Sequence, residues 1–369
     1  MRFIICLGLL MRTLHIDLPV GSGYGWGTCG TNLTAKLKER FRDHLANPDS
    51  READVCLSAI SGPQWGCAGN KRGRTMVGYG FIEQSAVALS YSWERDRNWD
   101  KIVHGSYWMK ESVGWSKDEV IWQGADPELF FHDPGVSPDP DWFTVGIWGK
   151  LEWRKGQDVA IKALSLFAQT HKNVRVIHAI HNPWPELIEH MVTVSRNEIN
   201  VLCFEMPWFD PYKREDWDLY VTSMFKSAGD RGNIMHRAVS GNLAPHYQQC
   251  DVSLFTARAE AGQSLNLNES LACGVPAIVV HEHGYGDLTS EYEYPCKDLL
   301  LNNSTEKYRK GFGEYFEPCI DEIVSKLHYA YVKKEELRSR REQVAAFGRC
   351  YTWDLAADKF ATILNPLLK

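Results

Sequence analysis

The stretch from residue 256 to 276 constrains the fold of this chain more than any other. It reads TARAEAGQSLNLNESLACGVP and lies between two apolar runs, 251–256 and 277–280. Short apolar runs bounded by turn residues indicate buried strands. The small residues 270–274 indicate that a short helix starts before the second strand. A strand, a turn, a helix and a second strand predict a parallel β-α-β unit. We expect its turn to contact a ligand.

The same alternation runs through the rest of the chain and predicts an α/β fold. Further strands are predicted at 13–19, 54–60, 77–81, 101–104, 119–122, 143–148, 174–180 and 201–205. Helices are predicted from about residue 31 to 45, from 106, at 157–170, 185–195 and 215–226, from 234, at 320–332 and 334–347, and at the C-terminal end. The segment 132–141, HDPGVSPDPD, interrupts this alternation with prolines and aspartates, so we expect a domain boundary there.

Length and composition indicate a soluble protein of two domains. The 369 residues exceed one ordinary core, and 44% hydrophobic and 24% charged residues are typical of globular proteins. The net charge of −6 argues against a general attraction to nucleic acid or to an anionic membrane. The ten cysteines include no CxxC pair, which predicts no zinc site and a reducing, cytoplasmic setting. The apolar residues 1–10 are too short to span a bilayer, and Met1 and Met11 are alternative starts.

A glycine-rich segment follows the first predicted strand. Its residues 25–30, GWGTCG, match the GxGxxG fingerprint of dinucleotide-binding turns, and the acidic Glu52 and Asp54 follow at about the required distance. The match lies several residues beyond the strand end, which favours a loose loop over a tight pyrophosphate turn. An NAD(P)-binding oxidoreductase therefore stays open as an alternative function.

A second glycine-rich segment, 61–75, contains Trp65 and several cations. The cations are Lys71, Arg72 and Arg74. The segment predicts either a solvated surface loop or a contact to a polar or anionic acceptor, a modified base in DNA among them. Trp65 and Trp26 lie in predicted loops, where an indole can stack on a sugar or a base.

Two lysines after the strand 143–148 indicate an anion site. Lys150 and Lys155 are five residues apart, around a turn that follows Gly149 and opens a helix. Two ammonium groups and the N–H groups of a helix start can hold a diphosphate through charge-assisted hydrogen bonds. A leaving nucleoside diphosphate needs such partners because its charge grows as its bond to a sugar breaks. The alternative is an exposed basic turn without a ligand.

The stretch 256–276 offers a second candidate site. Glu260 and Glu269 flank its turn, and each carboxylate can accept hydrogen bonds from vicinal hydroxyls of a ribose or a hexose. The residues between them offer backbone donors at a helix start. A surface loop with two ordinary glutamates is the alternative, but a carboxylate at the start of an apolar helix needs a partner if it is buried.

Together the two motifs resemble those of retaining glycosyltransferases with the GT-B fold, of the glycosyl transferases group 1 type (family 4-like). In that family a strand ends in Gly-Arg/Lys-x-x-x-x-Lys-Gly, which residues 149–156 match. A Glu-x7-Glu motif precedes Ala-Cys-Gly-x-Pro, which residues 272–276 match, with Glu269 as the second glutamate. Glu260 takes the place of the first glutamate across a turn one residue longer, since Ala261 stands at the usual spacing.

The resemblance covers nearly the whole chain and implies its architecture. Residues 123–130 and 351–354 are similar to the family's segments before the linker and at the start of the last helix. The implied fold is α/β, with two Rossmann-like domains facing each other across a cleft. Residues 1–138 would form the N-terminal acceptor-binding domain and 139–347 the C-terminal nucleotide-sugar-binding domain. A C-terminal helix in 348–369 would pack back on the N-terminal domain.

The resemblance also implies roles for individual residues. Lys150 and Lys155 would clamp the donor diphosphate and act in catalysis together with Glu260, and Glu269 would bind the ribose. The remaining donor-binding residues would be Gly149, Gly262, Gln263, Ser264 and Leu265. The acceptor would be bound by Gly25, Trp26, Gly27 and Trp65. Glu83 would be the polar group near the reacting carbon, where many members carry a histidine.

The implied reaction moves a sugar, a hexose for preference, from a nucleoside diphosphate sugar to an acceptor hydroxyl, with UDP or GDP as the nucleotide. It would be retaining and metal-independent, because the basic pair replaces a metal, and it would need no cofactor beyond the co-substrate. The acceptor stays open between a glycan, a small molecule and modified DNA. A sugar-binding module that has lost transfer activity is the non-enzymatic alternative.

Overall fold

A computed structural model describes residues 11–182, 184, 186–188, 190–191, 214–290, 294–301, 306–310 and 313–369. This part of the chain forms two compact units. The first consists of the residues up to Gly124 together with Trp353–Lys369, and the second is Ala125–Thr352. Each unit is built on a parallel sheet with helices, so the predicted α/β fold is confirmed. The domain limits at 138 and 347 stay a prediction.

The described strands of the first unit follow one another in sequential order. They are β1 (Leu14–Asp17), β2 (Glu52–Ser61), β3 (Gly66–Cys67), β4 (Arg72–Gly80), β5 (Lys101–His104) and β6 (Glu119–Val120). Strands β1, β2, β4, β5 and β6 lie side by side in that order and are parallel, while β3 pairs antiparallel with β2. The helices between them are α1 (Gly25–Arg40), α2 (Ser85–Ser90), α3 (Ser92–Asn98) and α4 (Tyr107–Val113).

Helix α1 starts earlier than predicted. It begins at Gly25 and not near residue 31, so the GxGxxG match lies inside the helix and not in a loop. Glycine disfavours a helix interior by about 1 kcal/mol, which makes the sequence signal for this start weak. A Cβ on Gly30 would overlap the carbonyl oxygen of Pro19. The close approach of the helix to the chain after β1 therefore requires glycine at that position.

The sheet of the second unit reverses its strand order in the middle. Its strands are β7 (Phe143–Trp148), β8 (Val174–Ala179), β9 (Ile234–Ala238), β10 (Val252–Phe255), β11 (Ala277–Val280) and β12 (Leu300–Leu301). They lie in the order β12-β11-β10-β7-β8-β9 and are parallel. The chain leaves β7 toward β8 and β9 on one side and returns to β10 on the other. Open α/β sheets bind ligands at such a reversal, at the carboxyl ends of the strands.

Several helices and a hairpin complete the second unit. The helices are α5 (Gln157–Phe167), α6 (Arg214–Ser227), α7 (Ala244–Tyr247), α8 (Leu265–Ala272), α9 (His283–Ser290), α10 (Ile320–Val332), α11 (Lys334–Ser339) and α12 (Arg341–Gly348). Strands β13 (Glu306–Lys310) and β14 (Gly313–Glu317) form an antiparallel hairpin apart from the main sheet. The bounds of β7, β11 and α10 agree with those predicted from the sequence.

Two predictions for the second unit are wrong, and two fall on residues that the structure does not describe. Residues 234–238 form strand β9, which pairs with β8, and do not start a helix. Residues 270–274 end helix α8 instead of starting one, because Gly274 takes a φ of +77°, the left-handed conformation that closes a helix. The predicted strand 201–205 and most of the predicted helix 185–195 lie outside the described residues.

The C-terminal helix, α13 (Trp353–Leu364), belongs to the first unit, as predicted. Its Asp354 forms an ion pair with Lys36 of α1 at 2.9 Å. Phe360 is fully buried, and its ring lies 5.1 Å from that of Tyr79 on β4. Exposed ion pairs contribute little to stability, so the buried aromatic contact does more to stabilise this return of the chain.

A buried arginine ties the turn after β10 to two other elements of the second unit. Arg258 donates to both carboxylate oxygens of Asp158 on α5 at 2.9 Å, and to those of Glu317 on β14 at 2.6 and 2.8 Å. It also donates to the carbonyl oxygen of Trp153 at 2.6 Å. The side chains of Arg258 and Asp158 are fully buried. Each charge therefore depends on the other and not on water.

Replacing Arg258 with alanine is expected to lower the stability of the second unit by about 3–5 kcal/mol, because the buried charge of Asp158 loses its partner. Calorimetric unfolding of the full chain measures this. Arg349→Ala is the matched control, since Arg349 pairs with Glu342 at the surface, 2.7 Å apart, and such pairs contribute at most about 1 kcal/mol. Equal losses in the two variants would contradict the role of Arg258.

Candidate functional site

Two glycines shape the loop between β7 and α5. Gly149, directly after β7, has a φ of +94°, and Gly156, the N-cap of α5, has a φ of +67°. A Cβ on Gly156 would overlap the carbonyl oxygen of Thr256, at the end of β10. The Thr256 hydroxyl donates to the carbonyl oxygen of Gly156 at 2.7 Å. The loop therefore lies directly against the end of the neighbouring strand, where only glycine fits.

A small pocket, with a volume of about 10 Å³, lies at this point of the sheet, between the ends of β7 and β10. It has room for about one water molecule, so a larger ligand would extend out of it. The residues that line it include Trp148, Gly149, Lys155, Thr256, Ser264 and Tyr285. Gln157, another lining residue, is the first residue of α5, and Ser264 is the N-cap of α8. Two helices therefore start at the pocket, and their N–H groups and dipoles favour an anion there. The structure thus brings three predicted donor-binding residues, Gly149, Lys155 and Ser264, to one pocket.

A cluster of charges lies beside the pocket. Lys155 forms an ion pair with Glu260, which is buried. Arg154 donates to Glu152 at 2.6 Å and lies 3.7 Å from Glu260. Lys150 lies 3.3 Å from Glu152, and its ammonium sits 4.5 Å from the ring centre of Trp184. The two lysines predicted to act together thus have different carboxylate partners.

The pKa values of this cluster are set by burial and by the neighbouring charges. Burial alone would raise the pKa of Glu260, but Lys155 and Arg154 outweigh it and the pKa is lowered. The pKa of Glu152 is lowered in the same way, against its burial, by Arg154 and Lys150. Burial lowers the pKa of Lys150. Both carboxylates are therefore ionised at neutral pH, and the cluster of three cations and two anions is positive by one charge.

The turn that carries the first glutamate is packed tightly. Its backbone is held by the N–H of Gly284, which donates to the carbonyl oxygen of Glu260 at 2.8 Å. Ser264 takes a φ of +66° as it enters α8, and Leu265 is the first residue of that helix. Ala261, at the spacing usual in the family, is fully buried, while Glu260 carries the ion pair with Lys155.

Glu269 lies one helical turn into α8 and is linked to the pocket wall through Tyr247. The Tyr247 hydroxyl donates to Oε2 of Glu269 at 2.9 Å and accepts from the side-chain amide of Asn266 at 2.9 Å. The Tyr247 ring packs 4.4 Å from that of Trp148, which lines the pocket. Burial raises the pKa of Glu269 to about 7, against the hydrogen bond from Tyr247. Among the described residues no cation pairs with Glu269 as Lys155 pairs with Glu260.

The residues predicted to bind the acceptor lie in the first unit, together with the predicted catalytic residue Glu83, and they have different environments. Gly25 is exposed at the start of α1, Gly27 is buried in it, and Glu83 is half-buried after β4. Trp26 is half-buried, with its ring edge-on to that of Phe81 at 4.9 Å. In the described part of this sheet the strands lie in sequential order, without the reversal at which α/β sheets bind ligands. The strand order therefore does not indicate where a ligand would bind. Their binding role stays a prediction.

Trp65 is a core residue, which corrects the prediction that it stacks on a ligand. Its side chain is 1% exposed, and its Nε1 donates to the carbonyl oxygen of Ala88 at 2.8 Å. Its own carbonyl oxygen accepts from the indole of Trp99 at 2.8 Å. The sequence suggested a loop because glycines surround Trp65, but the segment folds back on β2 through the short strand β3.

The structure also bears on the two alternative functions. The GxGxxG match lies in α1, so its first glycine does not form the turn after the strand that a dinucleotide fingerprint requires. Lys71 donates to the carbonyl oxygens of Pro48 and Ser50, both at 2.6 Å, and Arg72 to that of Lys71 at 2.7 Å. Two of the three predicted cations thus donate to nearby backbone carbonyls, and the third, Arg74, lies 3.6 Å from Asp54.

Three residues of the site escaped the sequence analysis. Glu152 and Arg154 lie between the two lysines, and the single carboxylate in this basic run is a signal that the cations are partly neutralised locally. Tyr247 precedes Glu269 by 22 positions and meets it only through the packing of α7 against α8. No local pattern reveals that contact.

Solved structures share this architecture. Anabaena HepE in complex with UDP-glucose superposes with a TM-score of 0.61 at 15% identity, over 96% of this chain and 100% of that one. Sucrose-phosphate synthase from Thermosynechococcus elongatus gives 0.57 at 11% identity, over 92% and 78%. AviGT4, a glycosyltransferase involved in avilamycin A biosynthesis, gives 0.55 at 14% identity, over 97% and 98%. The chain has the GT-B fold.

At these identities the likeness to GT-B structures establishes the fold alone. No protein-family model matches the sequence, and no curated protein matches it. None of the helices that the structure describes has the length and the apolar composition to cross a bilayer. The cysteines in the described part of this GT-B chain carry free thiols.

The raised pKa of Glu269 predicts a pH-dependent stability. The carboxyl loses its proton near pH 4.5 in the unfolded chain but near pH 7 in the folded one. Ionisation therefore destabilises the folded state as the pH rises from 4.5 through 7, and this effect is absent at lower pH. Glutamine cannot ionise, so Glu269→Gln avoids this loss. The difference in the free energy of unfolding between Glu269→Gln and the wild type is expected to be roughly 2–3 kcal/mol larger at pH 8 than at pH 5, since one pKa unit corresponds to about 1.36 kcal/mol.

Denaturant unfolding at pH 5 and pH 8 measures this difference. The exposed Glu128, replaced by glutamine, serves as the control and is expected to show no such pH dependence. A Glu269→Gln effect that is the same at both pH values would show that the pKa is not raised.

Proposed function

We propose that this chain is a glycosyltransferase that moves a sugar, a hexose for preference, from a nucleoside diphosphate sugar to an acceptor hydroxyl. The observation that carries the proposal is the pocket at the strand-order reversal, where Lys155 lies together with the starts of α5 and α8. An ammonium group, backbone N–H donors and two helix dipoles together suit a diphosphate. The GT-B fold is the second support.

The charge balance of the cluster fits this ligand. Three cations against two carboxylates leave one positive charge beside the pocket. The ion pair with Glu260 orients the Lys155 ammonium, so less side-chain entropy is lost when it also binds a phosphate. As the bond to the sugar breaks, negative charge grows on the diphosphate, and Lys155 stabilises the leaving group. Lys150 assists at longer range.

We assign the ribose to Glu269, and the transferred sugar to Glu260 with the backbone of residues 262–265. Tyr247 holds one oxygen of Glu269, which orients the carboxylate toward hydroxyl donors. The positive φ of Ser264 and the start of α8 at Leu265 place backbone N–H groups at the pocket. Glu260 thus has two roles, since it positions Lys155 and accepts from sugar hydroxyls.

The nucleotide, the stereochemistry and the acceptor are proposed as follows. HepE has been crystallised with UDP-glucose and with UDP, so UDP is the first nucleotide to test and GDP the second. We propose that the reaction retains the anomeric configuration and needs no metal. Both proposals rest on the resemblance of the two motifs to those of retaining GT-B glycosyltransferases, with lysines in place of a metal ion. Gly25, Trp26 and Gly27 are the proposed acceptor residues, and Glu83 is the proposed catalytic group near the reacting carbon. The free thiols support a cytoplasmic setting.

Loss of the Lys155 ammonium is expected to weaken donor binding. A charge-assisted hydrogen bond contributes about 1.5–3 kcal/mol, so Lys155→Ala is expected to bind UDP about ten- to hundred-fold more weakly. Titration calorimetry with UDP, GDP and NAD measures this, and UDP release from UDP-glucose gives the turnover. Lys172→Ala removes an exposed lysine and is the control. Unchanged UDP binding in Lys155→Ala, or tight NAD binding without UDP or GDP binding, would reject the proposal.

A second substitution separates Glu260 from its ion-pair partner. Glu260→Gln removes the orienting ion pair of Lys155 but also an anion that repels phosphate. The second effect offsets the first, so UDP affinity is expected to stay or rise. Turnover is expected to fall about ten-fold or more, because Lys155 is no longer oriented and the sugar loses a charged acceptor. Steady-state kinetics with calorimetry measures both quantities. If UDP affinity falls as far as in Lys155→Ala, Glu260 has only a structural role.

A further inference from the structure

Two histidines meet on the second unit at the far end of α5 from the pocket. Nε2 of His171 lies 3.0 Å from Nδ1 of His328. His171 lies between α5 and β8, and His328 lies on α10. Helix α5 begins at Gln157, which lines the pocket, and its 11 residues end at Phe167. At 1.5 Å per residue the helix alone separates the two places by about 16 Å.

His171 is held in the way that metal-ligating histidines usually are. Its Nδ1 lies 3.0 Å from the carbonyl oxygen of Phe167, and its ring stacks on the Phe167 ring with centroids 4.0 Å apart. The Thr170 hydroxyl donates to the same carbonyl at 3.3 Å and lies 3.0 Å from Nδ1, where it accepts as well. An Nδ1–H bound to a carbonyl leaves the lone pair on Nε2, which faces His328.

The distance between the two nitrogens suits two ligands of one ion. Metal–nitrogen bonds of about 2.0–2.1 Å, at an angle of roughly 90–110°, place two nitrogens about 2.9–3.4 Å apart. The observed 3.0 Å lies in this range. In the metal-free chain it is the length of a hydrogen bond, in which the Nδ1–H of His328 donates to the lone pair on Nε2 of His171, and a bound ion would replace that proton. The two rings are inclined by 61°, and His328 is exposed. Because His328 is exposed, its ring can turn once Nδ1 has lost its proton, which lets both nitrogens bind one ion.

We propose that His171 and His328 bind one divalent transition-metal ion, Cu²⁺, Ni²⁺ or Zn²⁺, with water in the remaining positions. Imidazole favours these ions over Mg²⁺ and Ca²⁺. Among the described residues no group of three or more His, Cys, Asp and Glu side chains could hold a metal, so this is a two-ligand site. The ion joins the connection before β8 to α10 and thereby stabilises the second unit.

Titration calorimetry of the tag-free, EDTA-treated full chain with NiCl₂ and with ZnCl₂ tests the site. One ion per chain is expected to bind. Binding is expected to weaken at least about ten-fold in His171→Ala and in His328→Ala, since loss of even an outer-shell partner costs about 10- to 100-fold. His44→Ala is the matched control, because Nδ1 of His44 also lies 3.0 Å from a carbonyl, that of Arg12, and its described contacts include no second histidine.

Electron paramagnetic resonance of the Cu²⁺-loaded chain gives an independent readout. Coupling to two imidazole nitrogens is expected in the wild type, and to one at most in each variant. Binding that is unchanged in either variant, or a wild type without one-to-one binding, overturns the proposal. UDP binding is expected to be unchanged in both variants, because neither histidine lines the pocket. The metal site and the proposed function can therefore fail separately.

Discussion

The contact between the β7–α5 loop and the end of β10 is the constraint on which the rest of the candidate site depends. Gly156 touches the carbonyl oxygen of Thr256, and the N–H of Arg258 donates to the carbonyl oxygen of Arg154 at 2.8 Å. The guanidinium of Arg258 then joins Asp158 and the hairpin strand β14. These bonds bring two loops together at the point where the strand order reverses, and so place Lys155 beside Glu260.

The electrostatics of the site follow from that closeness. Buried carboxylates normally have a raised pKa, and Glu269, with a tyrosine as its partner, has one of about 7. Glu260 is buried more deeply than the half-buried Glu269, yet Lys155 and Arg154 lower its pKa. The two glutamates that look alike in the sequence thus differ in charge near neutral pH. In the proposed function, the ionised Glu260 positions Lys155 beside the diphosphate, and Glu269 accepts hydrogen bonds from the ribose.

Much of the second unit could be predicted from local pattern, because its parallel strands are short apolar runs between glycines and polar turns. Strands β7 and β11 and helix α10 have the predicted bounds. Local pattern failed where tertiary contacts decide the conformation. Helix α1 contains glycines that its packing against Pro19 requires, and strand β9 is a strand because β8 offers it hydrogen bonds. Trp65 reads as a loop residue and is buried by its neighbours.

By itself, the sequence determined the α/β class, the two-part organisation and the motif residues Gly149, Lys155 and Glu269. These depend on short-range spacing and on residue chemistry, which can be recognised without knowledge of the fold. Only the tertiary structure decided that Lys155 pairs with Glu260, and that Tyr247 holds Glu269. These partners are far apart in sequence. Their contacts exist because the parallel sheet returns the chain to β7 after two intervening strands, an arrangement that no local pattern encodes.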